Sequence, residues 1–180
     1  MKRWNAISVG LLMGVSAIAL TACEEPKVDA AVYESLSQCI NDPDVSRQVC
    51  EQNYEEARGQ HAAVAPKYSS KADCQADFGA GRCEQAPYQS SSGGSIFMPL
   101  MMGYMMGSMI GGRSSMMSQP LYRSAASPNS FRTADNRSAG STTGRTRVAR
   151  SATSRPSFKT STLSRGGFGR SGRRFGSAAT

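Results

Sequence analysis

Four cysteines, arranged as two copies of one short unit, most strongly constrain how this chain can fold. In each unit a tyrosine stands six residues before the first cysteine, and the second cysteine opens a Cys-Glu-Gln tripeptide. Four cysteines allow three pairings, among which the sequence alone does not choose. The repeat favours pairing within each unit, Cys39 with Cys50 and Cys74 with Cys83. Such disulfides would each close a short loop and stabilise a segment too small to bury much of a core.

The N-terminus has the three parts of a bacterial lipoprotein signal peptide. Two basic residues precede an apolar run at 7–20, which is too short to span a bilayer comfortably. The run ends in Leu-Thr-Ala-Cys at 20–23, which resembles a lipobox. Processing at this motif would remove residues 1–22 and leave Cys23 carrying palmitate-type lipid that anchors the protein in a bilayer outside the cytoplasm. In that oxidising compartment, disulfides are the expected state of the other four cysteines.

Charge divides the rest of the chain into an acidic and a basic part. Residues 24–88 contain 12 acidic and 6 basic residues, whereas residues 113–180 contain 13 basic residues and one acid, Asp135. Apolar residues are sparse in the basic part and its like charges repel each other. Residues 113–180 are therefore predicted to be disordered when unbound.

Helical spacing is the main secondary-structure signal in the acidic part. Apolar residues recur at every fourth position from Val28 to Ile40, which predicts a first helix. Pro43 is suited to the first position of a second helix that ends near Gly59, and a third helix is predicted after Ser70. We therefore predict a small all-α fold, in which a disulfide-clipped helical head is followed by a Met/Gly-rich apolar helix and a long disordered basic tail.

The apolar segment 96–112 is rich in methionine and glycine. Its glycines recur at every fourth residue, a pattern that lets helices approach closely in membranes. The part from Ile96 to Ile110, as a helix, would reach about 22 Å, which is short of the roughly 30 Å hydrocarbon core of a bilayer. We expect this segment to embed in one leaflet, to self-associate or to pack on the head. The glycines concerned are Gly103, Gly107 and Gly111.

The methionines of the same segment raise the alternative of a Cu(I) site, because thioether sulfur is a soft ligand. No cysteine or histidine stands among them to complete such a site. Flexible apolar packing is therefore favoured, and neither a metal nor another cofactor is predicted. The candidate donors are Met101, Met102, Met105, Met106 and Met109.

The sequence lacks the usual catalytic motifs. The sole histidine, His61, lies in what the pattern predicts to be a loop, and no serine stands in a Gly-x-Ser-x-Gly motif. The adjacent carboxylates Glu55 and Glu56 point to different sides of a helix and suit a solvated face. The protein is predicted not to be an enzyme and to have no small-molecule substrate.

The C-terminal arginines resemble RGG-type segments, which bind RNA through charge and aromatic stacking. Nucleic acid is scarce outside the cytoplasm, so the same charge is expected to contact anionic lipid, lipopolysaccharide or a cell-wall polymer. Two alternatives are a module for polyanions or nucleic acid at the cell surface and a solvated spacer that lies near the acidic head. The arginines concerned are Arg165, Arg170, Arg173 and Arg174.

These features together predict six consecutive parts of the chain. They are a signal peptide at 1–22, a lipidated tether at 23–30, a helical head with two disulfides at 31–88, a linker at 89–95, the Met/Gly-rich segment at 96–112 and the basic tail at 113–180.

Further motifs accompany the lipobox and the paired cysteines. They are Ala-Pro-Lys-Tyr at 65–68, Cys-Glu-Gln-Ala-Pro at 83–87, Met-Pro-Leu-Met at 98–101, Gly-Tyr-Met-Met-Gly at 103–107 and Arg-Gly-Gly-Phe-Gly at 165–169. Together these motifs resemble the YgiB-type family of proteobacterial lipoproteins, whose function is uncharacterised. The resemblance implies a lipid-anchored envelope protein with no catalytic residue to carry over. Glu24, rather than Asp, after the lipidated cysteine favours the outer over the inner membrane. The expected role is that of a non-enzymatic structural or interaction protein.

Overall fold

The computed structural model describes residues 25–90, 93–107 and 117–159, together with residues 162 and 168. In chain order its regular elements are β1 (Lys27–Tyr33), α1 (Leu36–Ile40), α2 (Arg47–Val64), α3 (Lys71–Phe78), β2 (Cys83–Gln89), β3 (Ser95–Pro99), β4 (Gly103–Gly107), β5 (Ser118–Ser124), β6 (Ser127–Thr133), β7 (Ser138–Gly140), β8 (Gly144–Ala149) and a 3₁₀ helix (Arg150–Thr153). Strand makes up 38% and helix 28% of the structure, so the predicted all-α fold is wrong.

Six strands form one antiparallel sheet in the order β7-β6-β5-β4-β1-β8. The edge strands β7 and β8 contact each other, so the sheet curls until it is nearly closed. β1 lies inside this sheet between β4 and β8, and Lys27 stands opposite Ala149. β2 and β3 form a separate hairpin, which a bridge between Tyr68 and Phe97 joins to the segment before α3.

Three groups of buried residues make up the interior. The sheet core contains Ala30, Val32, Met105, Leu121, Phe131, Ala139, Val148 and Ala152. The α1–α2 core contains Tyr33, Cys39, Cys50, Ala57, Tyr104 and Met106. The α3 core contains Val64, Ala65, Tyr68, Cys74, Phe78, Cys83, Ala86, Ile96, Met98, Tyr122 and Ala134.

Strand β1 explains why the spacing of apolar residues predicted a helix. Positions four apart share one face of a helix, but they also share one face of a strand, because side chains alternate along a strand with a period of two. Ala30 and Val32 accordingly belong to the sheet core, against which Val28 packs, whereas Tyr33 belongs to the α1–α2 core, against which Ala31 packs. The pattern from Val28 to Ile40 is thus divided between a strand and the short helix α1.

The described part of the Met/Gly-rich segment, up to residue 107, forms strands β3 and β4 rather than the predicted apolar helix. Along β4 the side chains alternate between two cores, since Tyr104 and Met106 belong to the α1–α2 core and Met105 belongs to the sheet core. Gly103 is buried at a point where the backbone at the C-terminal end of β1 lies close to it. A Cβ atom at this position would lie 2.7 Å from the carbonyl oxygen of Tyr33 and 3.2 Å from Cε1 of Phe131. The small residue is therefore required by packing within the sheet.

The predicted disorder of residues 113–180 is wrong for residues 118–149, which contain strands β5 to β8. Each of these four strands contributes one residue to the sheet core: Leu121, Phe131, Ala139 and Val148. One sheet-core residue in each strand is too sparse to give a periodic signal in the sequence. The backbone hydrogen bonds of the sheet and the neighbouring strands β1 and β4 supply the remaining contacts.

Three serines begin the helices. The hydroxyl oxygens of Ser35, Ser46 and Ser70 accept hydrogen bonds from backbone N–H groups in the first turns of α1, α2 and α3, as N-cap residues do. The third helix follows Ser70, where the sequence predicts a start. The second starts at Arg47 rather than at Pro43, and it continues past Gly59 to Val64.

Both disulfides that the repeat favours are present. Cys39–Cys50 joins α1 to α2, and Cys74–Cys83 joins α3 to β2, with Cα–Cα distances of 5.7 and 6.2 Å. All four cysteines are buried. No helix within the described ranges is long and apolar enough to cross a membrane.

We predict that Gly103→Ala lowers the free energy of unfolding by about 1–3 kcal/mol, because the added methyl group overpacks a site closed by backbone. Gly59→Ala is the matched control. Gly59 is exposed within α2, a Cβ there would meet nothing within 4 Å, and alanine is favoured over glycine in a helix by about 1 kcal/mol. Urea denaturation measures both effects. Equal stability changes in the two variants would contradict the packing role of Gly103.

Candidate functional site

Several of the predicted site residues lie outside the described residues. They are Cys23, Gly111, Met109, Arg165, Arg170, Arg173 and Arg174.

The described glycines and methionines of the Met/Gly-rich segment belong to the fold itself. Gly103 and Gly107 are the first and last residues of β4, where Gly103 faces the end of β1. Met105 and Met106 are buried and lie in different cores on opposite faces of β4, so they do not converge on one metal ion. Met101 and Met102 are half-buried just before that strand. The described residues contain no group of three or more His, Cys, Asp or Glu that could hold a metal.

Basic residues of the C-terminal half lie against carboxylates of the N-terminal half. Three arginine–carboxylate pairs connect them, with N–O distances of 2.5 Å, 3.6 Å and 3.7 Å: Arg123–Glu34, Arg145–Asp44 and Arg147–Asp29. The part of the basic segment that contains these arginines is folded into strands and is not a solvated spacer. Arg123, Arg145 and Arg147 of the described strands therefore already face negative charge.

A buried polar cluster at the C-terminal end of α2 is the most chemically distinctive feature of the described residues. The imidazole Nδ1 of His61 lies 3.0 Å from the hydroxyl of Tyr122, and Nε2 lies 3.4 Å from a carboxylate oxygen of Glu84. These side chains come from α2, β5 and β2, so the cluster connects three elements that are distant in sequence. Tyr122 is fully buried, His61 is nearly so, and Glu84 reaches solvent.

The partners of His61 define its tautomer. A carboxylate only accepts hydrogen bonds, so Nε2 of His61 carries the proton and donates a hydrogen bond to Glu84. Nδ1 then accepts from the hydroxyl of Tyr122. The neutral imidazole satisfies both groups at once, and it lies 5.7 Å from the Tyr122 ring, centroid to centroid.

Burial controls the ionisation of this cluster. It lowers the pKa of His61 below the ordinary value of 6.5, and the neighbouring Glu84 carboxylate only partly opposes this effect. Burial raises the pKa of Tyr122 well above 10.0, so its phenol stays protonated. A fully buried, protonated phenol is not placed to attack a substrate. The chemistry available to the cluster is thus a hydrogen-bond connection between α2 and the two sheets.

Lys67 follows α2 in the chain and is also buried. Its ammonium group donates to the carbonyl oxygen of Ala63 at 3.2 Å and lies 5.6 Å from the ring centroid of Tyr88. The hydroxyl of Tyr88 donates to the carbonyl of Ala62 at 2.6 Å. Burial, with a smaller contribution from the charge of Lys159, lowers the pKa of Lys67.

His61 is predicted from the sequence to lie in a loop, and that placement is wrong. The sequence predicts that the helix ends near Gly59, whereas α2 continues through this residue. A signal was available, because Asn53, Ala57 and His61 are spaced by four residues and all three are buried on one face of α2. Neither the Tyr122 nor the Glu84 contact has a local sequence signal, since both partners are distant in the chain.

We predict that the free energy of unfolding falls as the pH drops below about 6.5. His61 binds a proton more readily in the unfolded chain, so acid favours unfolding until the pH passes the lowered pKa of the folded state. His61→Gln should remove most of this slope between pH 7 and pH 5, because the chain has one histidine. Chemical denaturation at a series of pH values measures the slope.

Glu84→Gln is the informative control for this prediction. It removes the carboxylate that favours the protonated imidazole, so the pKa of His61 should fall further. NMR titration of the imidazole measures this pKa directly. A rise in the His61 pKa in this variant, or an unchanged pH slope in His61→Gln, would contradict the assignment.

Comparisons with known proteins agree with one another. The sequence model of the family described as "Protein of unknown function (DUF1190)" matches residues 27–178. A UPF0441 protein of Erwinia tasmaniensis is 40% identical over 94% of this chain and 84% of its own length, and one of Serratia proteamaculans is 38% identical with the same coverage. A third, from Sodalis glossinidius, is 38% identical over 93% of this chain and 84% of its own. No solved structure matches. The chain therefore belongs to the DUF1190/UPF0441 family of uncharacterised bacterial proteins.

Proposed function

We propose that the protein is a YgiB-type lipoprotein of the bacterial envelope, preferably of the outer membrane. In this proposal it is anchored through lipidated Cys23, does not act as an enzyme and contacts anionic envelope components through its C-terminal arginines. The observation that carries the proposal is the pair of buried disulfides, considered together with the lipobox. Disulfides of this structural kind persist in oxidising compartments and are rare in the bacterial cytoplasm.

The position of the first strand supports an anchor close to the folded part. β1 begins at Lys27, within the predicted tether at 23–30 and four residues after Cys23. Four residues of extended chain reach at most about 14 Å. A lipid on Cys23 would therefore hold the sheet next to the bilayer surface. Two or more acyl chains would make this attachment stable, whereas a single chain gives only marginal binding.

The distribution of ion pairs supports a role for the last arginines in particular. Two of the strand arginines already face carboxylates of the same chain, as Arg145 faces Asp44 and Arg147 faces Asp29. After residue 159 the sequence contains four further arginines and no acid. Each basic residue near an anionic lipid surface contributes about 1 kcal/mol. Four of them are enough to add substantially to an existing lipid anchor.

The buried cluster supports a non-enzymatic role. Tyr122 is fully buried with a raised pKa, and His61 is occupied by Tyr122 and Glu84. These side chains are satisfied by one another and connect structural elements. We therefore assign the cluster to stability of the fold rather than to chemistry on a substrate.

The anchoring proposal predicts that cells fed radiolabelled palmitate incorporate the label into this protein. Cys23→Ser should abolish the label and release the protein from the membrane fraction. Cys39→Ser together with Cys50→Ser is the control, because it removes a disulfide and leaves the lipobox intact. An unlabelled, unprocessed chain in the cytosol would overturn the proposal. Recovery in the inner-membrane fraction would reverse the preference for the outer membrane.

The arginine proposal predicts that Arg173→Gln with Arg174→Gln weakens binding to vesicles containing phosphatidylglycerol. Two contacts of about 1 kcal/mol correspond to about 30-fold in affinity at low salt. Arg145→Gln with Arg147→Gln is the matched control, since both arginines already face carboxylates, and a change below about threefold is expected. Vesicle sedimentation at several salt concentrations measures the affinity. An equal loss of vesicle affinity in the two double variants would contradict the proposal. Stronger binding to RNA than to vesicles would favour the nucleic-acid alternative.

A further inference from the structure

The chain after β8 is held against the helices by several polar contacts. Ser157 donates from its backbone N–H to a carboxylate oxygen of Asp135 at 3.0 Å, in the turn between β6 and β7. The backbone N–H of Lys159 donates to the carbonyl of Ala63 at 3.0 Å, near the end of α2. The ammonium of Lys67 donates to the carbonyl of Lys159. These contacts lead the chain from the sheet to the C-terminal end of α2.

Nine residues later, Phe168 contacts α3. Its ring centroid lies 4.8 Å from that of Phe78, and its backbone N–H donates to a carboxylate oxygen of Asp77 at 3.1 Å. Phe78 is almost fully buried and also makes edge-on contacts with the rings of Tyr68 and Tyr122. Phe168 thus completes an aromatic group whose other members belong to α3, to β5 and to the segment before α3.

The Asp77 carboxylate, which accepts the hydrogen bond from Phe168, is held in a fixed orientation. The same oxygen of Asp77 that accepts from Phe168 also accepts from the hydroxyl of Tyr68 at 2.8 Å. The backbone carbonyl of Asp77 accepts from the N–H of Ala125 at 2.8 Å, which connects α3 to the turn after β5. An aromatic surface beside an oriented carboxylate can recognise both the ring of a phenylalanine and that residue's own backbone N–H.

We propose that Phe78, Asp77 and Tyr68 form a binding site for a phenylalanine flanked by glycines, and that Phe168 of the same chain occupies it. The sequence places a glycine on each side of Phe168, and a residue without a side chain lets the peptide backbone approach a surface closely. The occupant belongs to the same chain because the contacts of Lys159 hold that chain nearby. A short linker raises the effective concentration of a tethered ligand to the millimolar range.

This site is independent of the proposed lipid anchor and of the arginine contacts. It depends on an aromatic ring and a backbone N–H group, which neither Cys23 nor an arginine side chain supplies. If the experiments below reject this site, the envelope proposal is unaffected. If the envelope proposal is rejected, the site is likewise unaffected.

The test uses the full-length protein in detergent and a fluorescein-labelled peptide spanning 163–172. Phe168→Ala empties the site, so this variant should bind the peptide at least tenfold more tightly than the unaltered protein, in which Phe168 competes. Phe158→Ala is the matched control, because the Phe158 side chain is 77% exposed and its loss leaves the site occupied. It should behave like the unaltered protein. Fluorescence anisotropy at a constant salt concentration measures the affinities.

Two altered peptides identify what the site recognises. A peptide with alanine in place of Phe168 should bind the Phe168→Ala protein at least tenfold more weakly. A peptide with N-methylphenylalanine at this position cannot donate a hydrogen bond to Asp77, so its affinity should also fall at least tenfold. Equal affinity of the three peptides would mean that the arginines alone drive binding, and it would overturn the proposal.

Two measurements on the unaltered protein complete the test. Hydrogen exchange should find the Phe168 amide protected, and rapid exchange of this amide would contradict the proposal even without the variant. Sedimentation should find the same oligomeric state in the unaltered protein and in Phe168→Ala. A dimer that Phe168→Ala dissociates would assign the site to the phenylalanine of a second copy, and it would overturn occupation within one chain.

Discussion

The pairing of β1 with both β4 and β8 is the interaction on which the rest of the structure depends. Both faces of β1 are buried, since Val32 packs in the sheet core and Tyr33 packs in the α1–α2 core. The pairing also joins the two ends of the folded chain, because Lys27 stands opposite Ala149. Without β1, strand β8 would be left without its hydrogen-bonded neighbour and the two cores would each lose a wall. The N-terminal and C-terminal halves therefore form one cooperative unit rather than a head and a separable tail.

Charge accompanies this pairing without being its main source of stability. Asp29 on β1 stands directly opposite Arg147 on β8, so the acidic and basic halves meet within one strand pair. Both side chains are about two-thirds exposed, and ion pairs in such positions contribute at most about 1 kcal/mol. The backbone hydrogen bonds between the strands and the burial of apolar side chains stabilise the pairing more than these charges do. The opposite charges of the two halves allow their strands to pair in one sheet, whereas like charges at these positions would oppose the pairing.

Local chemistry in the sequence predicted the local features of the structure and missed the distant ones. The capping serine at Ser70 and the repeated cysteine unit act over a few residues, and both indicated structure that is present. The Val28–Val32 spacing fits a strand as well as a helix, and only the partners β4 and β8 decide between them. The contact of His61 with Tyr122 spans 61 residues and leaves no periodic trace. Sequence reasoning therefore identified neither the sheet nor the polar cluster, because each depends on pairings between distant segments.

The two proposals meet in one short segment, and their energies are of similar size. Docking of Phe168 buries part of a phenylalanine side chain, for which complete burial contributes about 1.5–3 kcal/mol, and adds an aromatic contact of about 0.5–1.5 kcal/mol. Arg165 and Arg170 lie three and two residues away in the sequence, and an anionic surface would attract each by about 1 kcal/mol. Neither attraction exceeds the other by a wide margin. The α3 site takes the ring and the backbone N–H of Phe168, whereas an anionic surface would take the neighbouring arginine side chains, so the two contacts use different groups of one segment and neither requires the other.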